Sequence, residues 1–396
     1  MCAACSGYRC QRAAMRLLAL LVTGAHALAR PPAVIGQKLH DVATPALLLD
    51  ADAFERNCET LRSAVALTGV RARPHMKAHK SGALAKRQLE LLDVHAAGVC
   101  AQTVSELEAA VDAGVGDVLL TNEVVGADKI ERVAAAAKKS SGRVGVLIDD
   151  FWAQATDLNL ALDDDVTVDA YVEVDVGQKR CGVSPEEAAP LALQISRLKN
   201  LRFAGCHCYH GLLQHVPSKA ERREAVAQVA DAVREVREAL IAAGLAEFVI
   251  TGGGTGTLAA DRDSGVFDEV QPGSFCVMDL QYGSIEHEIV FERALEVLTT
   301  VLSRPAPNRC VVDAGSKAVD LVAGPPDVEG NRPYRSGGDE HGILDVEAGD
   351  DLAVGAKLRL YPSHCDPCVN LHDHWVVHRG GVVVDVLAVD ARGSGC

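Results

Sequence analysis

From Thr44 onward the chain alternates two hydrophobic rhythms. Short runs rich in Val, Ile and Leu are separated by longer stretches in which Ala, Leu and Val recur every three or four residues among Glu, Arg and Lys. The first pattern predicts strands buried on both faces, and the second predicts amphipathic helices. After an introductory TPALLLD (44–50) and a helix around Ala53 to Ala66, eight candidate strands follow: RARPHMKA (71–78), AAGVCAQT (96–103), DVLLTN (117–122), RVGVLIDD (143–150), AYVEVD (170–175), LRFAGCHCYH (201–210), EFVITGGG (247–254) and EVQPGSF (269–275). Helical segments such as SELEAAVDAG (105–114) and SKAERREAVAQVADAVREVREALIAAG (218–244) lie between them. Eight strands close a (β/α)8 TIM-type barrel, although a doubly wound open sheet has the same alternation.

After about Phe291 the helical rhythm stops. ALEVLTTVLSR (294–304), RCVVDAG (309–315), KLRLYPS (357–363), HWVVHRG (374–380) and GVVVDVLAVDARG (381–393) are strand-like runs broken by Gly, Pro and Asp. The expected organisation is a presequence over 1–35, an α/β barrel over 36–290 and an all-β domain over 291–396. GPPDVEGNRPYRSGGDEHG (324–342) is the expected long loop.

Composition narrows the function. A net charge of -15 speaks against a nucleic-acid binder, whose affinity would rest on basic patches. The 13 cysteines are odd in number and scattered, as expected of reduced thiols. The pairs Cys2/Cys5 and Cys365/Cys368 lack the further ligands of a four-thiolate zinc site. The first 40 residues carry Arg9, Arg12, Arg16, Arg30 and Lys38 but no acidic residue. With the apolar LLALLVTGAHALA (17–29), too short to span a bilayer, this reads as an organellar (chloroplast or mitochondrial) or secretory presequence. No other segment reads as transmembrane, so neither membrane nor nucleic acid is an expected partner.

Three stretches carry chemistry. In RPHMKAHKS (73–81), an extended chain puts His75, Lys77 and His79 on one face, with Lys80 opposite and solvated. A lysine between two groups that become cationic, in a pocket at a barrel's strand ends, has a lowered pKa and forms Schiff bases. On its own, a lysine here is more often exposed. VITGGGTGT (249–257) runs a strand into three glycines, which allows close backbone approach to an anion, and the eighth strand ends at Gly273 and Ser274. Barrels hold phosphate on these two loops. A phosphate-bearing aldehyde, pyridoxal phosphate, suits a lysine opposite them. In YPSHCDPCVNLHD (361–373), His364 and Asp366 share a face if extended while Cys365 turns away. An imidazole and a carboxylate suit Zn2+, Mn2+ or a similar cation, though the HxD spacing alone is a weak motif.

Together, Pro74–Lys77, VDVGQKRCGV (174–183), YHG (209–211), the glycines at 252–254 and PSHCDP (362–367) resemble the D-threonine aldolase and D-serine dehydratase group of fold-type III pyridoxal-phosphate enzymes, relatives of alanine racemase. The resemblance covers Asp41 to the C-terminus. It implies that Lys77 is the Schiff-base lysine, and that Gly252, Gly253, Gly254, Thr255, Gly273 and Ser274 surround the phosphate with Tyr209 beside the ring. Arg180 and Gln271 are rival partners for the pyridine side, His215 matches a proposed base, and His364 and Asp366 match metal ligands for Mn2+, Mg2+ or Zn2+. The dehydratase branch carries cysteine where Asp366 stands, so the implied activity is retro-aldol cleavage of D-threonine and other D-3-hydroxy-amino acids. D-serine dehydratase is the alternative. A non-catalytic pyridoxal-phosphate carrier is the alternative of another class, against which the β domain counts. A homodimer is the expected assembly.

Overall fold

The computed structural model describes residues 30–347 and 349–393, so the first CxxC pair and nearly all of the expected presequence lie outside the described residues. The eight candidate strands form one parallel sheet: β2 (Arg71–Ala72), β3 (Val99–Ala101), β4 (Asp117–Glu123), β5 (Arg143–Ile148), β6 (Val168–Glu173), β7 (Leu201–Cys208), β8 (Val249–Gly252) and β9 (Glu269–Val270), all preceded by β1 (Ala46–Asp50). Its order, β2-β9-β8-β7-β6-β5-β4-β3, is completed by parallel bridges from Ala72 to Ala96 and from His75 to Cys100, which close the barrel. Two strands are shorter than expected. Pro74 and Pro272 have no N–H to give to a ladder, so β2 and β9 stop two residues before them. Beyond that point Met76–Ala78 and Ser274–Cys276 are single 3-10 turns.

Helices wrap the outside: α1 (Ala51–Val65), α2 (Gly82–Leu92), α3 (Val104–Asp112), α4 (Ala127–Lys139), α5 (Asp157–Ala161), α6 (Pro185–Ile195), α7 (Lys219–Ala242) and α8 (Leu258–Asp263). Their starts are set by side chains. Thr103 accepts from the Glu106 N–H, Ser218 from the Glu221 N–H, and Ser184 with Glu187 forms a capping box before Pro185.

Residues two apart along each strand fill the barrel in layers. Val118, Leu120, Val144, Val146, Val168, Ala170 and Val172 face the helices, while Leu119, Leu147, Tyr171 and Ala204 meet inside. Both faces are therefore apolar, which is why the strands read as continuous runs. Below that inner layer, at the strand starts, a chain of ion pairs crosses the barrel. Arg202 and Arg143 reach Asp169 at 2.5 and 2.6 Å, and Arg73 bridges Asp117 (2.6 Å) to Glu269 (2.7 Å). Arg71 adds a further contact to Glu269 at 2.9 Å. Above the inner layer, Thr121, Glu173, His207, Thr251 and Gln271 are polar and buried.

The second sheet contains β10 (Leu295–Ala306), β11 (Arg309–Val312), β12 (Asp327–Val328), β13 (Tyr334–Ser336), β14 (Gly342–Asp345), β15 (Lys357–Tyr361), β16 (His374–Arg379) and β17 (Val382–Ala388). β1 joins it from the front of the chain, antiparallel to β10 and parallel to β16. The expected long loop contains β12 and β13, and β14 begins at its last residue. Trp375 of β16 is fully buried and its indole N–H donates to the His79 carbonyl at 2.9 Å, fastening the sheet to the segment that carries Lys77. Among the described residues no helix is long and apolar enough to cross a membrane.

Arg73 is 2% exposed and Glu269 1%. Arg73→Met should leave the buried Glu269 with only the half-exposed Arg71 as its partner and cost about 3 kcal/mol in chemical denaturation. The double variant Arg73→Met with Glu269→Gln should recover part of that loss.

Candidate active site

The segment after β2 answers why two histidines and two lysines stand together. His75 is buried, with Nε2 3.0 Å from the Thr121 hydroxyl and 3.2 Å from Gln102 Oε1. His79 is also buried; its Nδ1 accepts from the Ser81 N–H and its Nε2 meets Gln88 Oε1 at 3.1 Å. Lys80, expected in solvent, donates to Glu106 Oε1 at 2.5 Å, and the other Glu106 oxygen accepts from the Gln102 N–H at 2.6 Å. His79 and Lys80 therefore anchor the turn, His75 forms part of the cavity wall, and Lys77 reaches into the cavity.

The expected one-sided strand is thus corrected. The 3-10 turn over Met76–Ala78 rotates His79 away into the core. The expected lowering of the Lys77 pKa is corrected as well. Its Nζ lies 3.3 Å from Asp366 Oδ2, and that carboxylate raises the lysine above its ordinary range. Burial drives His75 and His79 well down, His79 to about 4, so neither imidazole is a competing cation at neutral pH. Burial alone would raise Asp366, but Lys77 and His364 outweigh it and hold the carboxyl at about 2.

Lys77 opens into a cavity of about 250 Å³ at the strand ends, where Arg180, Tyr209, His215, Gly254, Thr255, Gln271, Gly273, Ser274, His364 and Asp366 also meet. Of the residues singled out from the sequence, Gly252 and Gly253 do not line it. They lie behind the wall, where a Cβ would stand 2.4 Å from the Cys208 carbonyl and 2.3 Å from Asp261 Oδ2 respectively. Gln271 is held at both ends, its Oε1 2.9 Å from His207 Nε2 and its amide donating to Thr251 at 2.8 Å. The guanidinium of Arg180 lies 5.6 Å from the Tyr209 ring centre.

His364 and Asp366 are not on one strand face. His364 is the extended residue before the short helix Cys365–Val369, and Asp366 sits in that helix's first turn. Both still face the barrel of their own chain. Cys365 does not turn away: its thiol contacts Ser274 Oγ at 3.3 Å and Asp366 Oδ1 at 3.2 Å. His215 packs on Tyr282 with ring centres 4.6 Å apart, and burial lowers its pKa below the ordinary value.

Sequence reading missed Asp279. This buried carboxylate accepts from the Cys365 and Tyr282 N–H groups at 3.0 and 2.9 Å and lies 3.0 Å from His364 Nδ1. It orients the imidazole so that Nε2 is the nitrogen left for another partner. Asp279, His364 and Cys365 also bring ligand atoms within 4.8 Å of one another. Its local partner, the Tyr282 N–H, marks it only as a helix cap, and the partners that tie it to the site, His364 and Cys365, are 85 and 86 residues away.

The donor set fits both implied groups. An imidazole oriented by Asp279 and the Asp366 carboxylate suit a divalent cation, and the Lys77 ammonium already places positive charge beside Asp366. A lysine amine facing Gly254, Thr255, Gly273 and Ser274, with Tyr209 on the wall, suits an aldehyde bearing a phosphate.

Residues 49–281 match the alanine racemase N-terminal domain, and residues 294–378 match a putative serine dehydratase domain. The D-threonine aldolase of Arthrobacter sp is 42% identical over 370 residues, covering 92% of this chain and 96% of that one. The chain belongs to the alanine racemase-like D-threonine aldolase family. Within that family, a 3-hydroxy-D-aspartate aldolase of Paracoccus denitrificans (strain Pd 1222) is 40% identical over 375 residues, with 92% and 96% covered. The crystal structure of D-threonine aldolase from Filomicrobium marinum superposes with a TM-score of 0.87 at 42% identity, covering 92% of this chain and 99% of that one.

Asp279→Ala should leave three donors facing an empty buried space and lower stability by about 1–3 kcal/mol, measured by denaturant unfolding. Asp279→Asn, which keeps one acceptor oxygen, should lose less.

Proposed function

We propose that the chain is a pyridoxal-phosphate- and divalent-metal-dependent aldolase that cleaves D-threonine and other D-3-hydroxy-amino acids to glycine and an aldehyde. The observation that carries this reading is the convergence of Lys77 with His364 and Asp366 in one cavity, with Lys77 Nζ 3.3 Å from Asp366. The D-configuration comes from the named relatives.

Lys77 holds the cofactor through its amine. Gly254, Thr255, Gly273 and Ser274 hold its phosphate, and Tyr209 flanks the ring. Because Gln271 is committed to His207 and Thr251, Arg180 is the better partner for the pyridine side. His364, oriented by Asp279, and Asp366 hold the cation. Bound there, pyridoxal phosphate supplies an electron sink for the charge left at Cα, and a divalent cation supplies the Lewis acid that makes the 3-hydroxyl acidic.

The chain's own residues do the rest. Burial keeps His215 neutral near pH 7, so it accepts the 3-hydroxyl proton. Tyr282 packs at a tilt against that ring and limits its rotation. Retro-aldol cleavage then leaves the C3 carbonyl in the aldehyde and Cα in glycine.

One observation favours a second reading, D-serine dehydratase giving pyruvate and ammonia. Cys365 joins His364 and Asp279 within ligand reach, a softer donor set. Incubation with D-threonine and with D-serine separates the two, yielding glycine and acetaldehyde in the first case and pyruvate in the second.

Asp366→Ala should lose metal-dependent cleavage by about 100-fold or more while keeping the cofactor's absorbance and a borohydride-trapped label on Lys77. Full activity in that variant removes the metal role. kcat/KM should fall on an acid limb that lies below the ordinary imidazole range, because burial lowers His215 and only its neutral ring takes the proton. His215→Gln should lose that acid limb together with most of the rate.

A further inference from the structure

Behind the wall formed by Gly254 and Thr255 lies a carboxylate that the proposed reaction does not use. Asp261, on α8, is 4% exposed. Its Oδ2 accepts from the Gly254 N–H at 3.2 Å and from the Thr257 hydroxyl at 2.5 Å. Thr257 in turn accepts from Gln214 Nε2 at 2.8 Å, and Gln214 Oε1 accepts from the Gly256 N–H at 2.9 Å. The loop over 254–257 is thus pinned from behind. Gly253 makes room for the carboxylate: its φ is +69°, and any Cβ would stand 2.3 Å from Asp261 Oδ2.

Nothing cationic offsets this charge. Among the described residues no lysine or arginine pairs with Asp261, and its neighbour Arg262 turns to Asp263 at 2.6 Å. From the end of β7 come Cys208, His210 and Tyr209, all shifted by burial toward their neutral forms. From α7 come Val226 and Val229, and Phe267 closes the remaining side. Left in this apolar setting, the carboxyl is pushed up by burial to about 7.

A dianionic phosphate in front of Gly254 and a carboxylate behind it make opposing claims on the same N–H and repel each other at close range. We propose that Asp261 is a positioning residue for the phosphate end of the cofactor, holding the 254–257 loop in place and taking up one solvent proton when a phosphate is seated against it. In its acid form it keeps an oxygen for Gly254 and sheds the charge. This inference rests on the pyridoxal-phosphate reading above.

The test uses full-length protein freed of cofactor, wild type and Asp261→Asn. Each is titrated from pH 6.5 to 8.5 with pyridoxal phosphate, with phosphate-free pyridoxal and with inorganic phosphate. The phosphate's own ionisation is common to both proteins and cancels in the ratio of their Kd values. For pyridoxal phosphate the ratio, wild type over variant, should rise by up to about tenfold per pH unit above neutrality, and for pyridoxal it should stay flat. Calorimetry on the wild type in two buffers of different ionisation enthalpy should report about one proton more taken up with pyridoxal phosphate than with pyridoxal near pH 7.5. That measurement needs no variant to fold. A pH-independent ratio, or equal proton uptake for the two aldehydes, overturns the role of Asp261 while leaving the cofactor reading standing. If neither aldehyde binds but inorganic phosphate gives the rising ratio, the cofactor reading falls and the proton-linked loop survives.

Discussion

The ion pair between Lys77 and Asp366 joins the two halves of the molecule at the site of chemistry. One partner extends from a turn at the mouth of the barrel and the other from a short helix of the β domain. Each side is braced by its own network, Lys80–Glu106–Gln102 on the barrel side and Asp279 with His364 on the other. The pair biases both protonation states at once, toward a charged ammonium and an ionised carboxylate. Whatever enters the cavity must exchange one of these partners for its own charge.

The barrel interior separates two kinds of polar chemistry with an apolar layer. Leu119, Leu147, Tyr171 and Ala204 lie between the ion-pair chain at the strand starts and the buried polar layer at the strand ends. The lower charges are satisfied by one another and serve closure. The upper groups, His207 with Glu173 and Gln271 among them, hold positions around the cavity.

Much of this was legible in sequence because it is periodic. The eight strands appeared as apolar runs, and Lys77, Tyr209, His215, His364 and Asp366 stood in recognisable local motifs that meet in one cavity. What escaped was non-local or depended on a single backbone rotation. Prolines at 74 and 272 shortened two strands into turns, which removed His79 from the face assigned to it. Asp279 reads locally as no more than a helix cap, because the partners that tie it to the site follow far along the chain. The arginine and acid residues of the lower ring carry no local mark, since only closure of the barrel brings them together. Gly252 and Gly253 showed the expected freedom of backbone but spend it packing against Cys208 and Asp261.

β1 lies between β10 and β16, yet it is made before any barrel strand. During synthesis its two edges have no partner until the ribosome has passed residue 295 on one side and residue 374 on the other. The apolar ALLLD segment must therefore wait through the whole barrel with its backbone groups unmatched, a state that invites pairing with other nascent chains. In the folded chain it also packs against α1, the helix that follows it directly. Placement of His364 and Asp366 is accordingly among the last events of folding, and a chain cut short before β16 loses the strand that locks the whole arrangement.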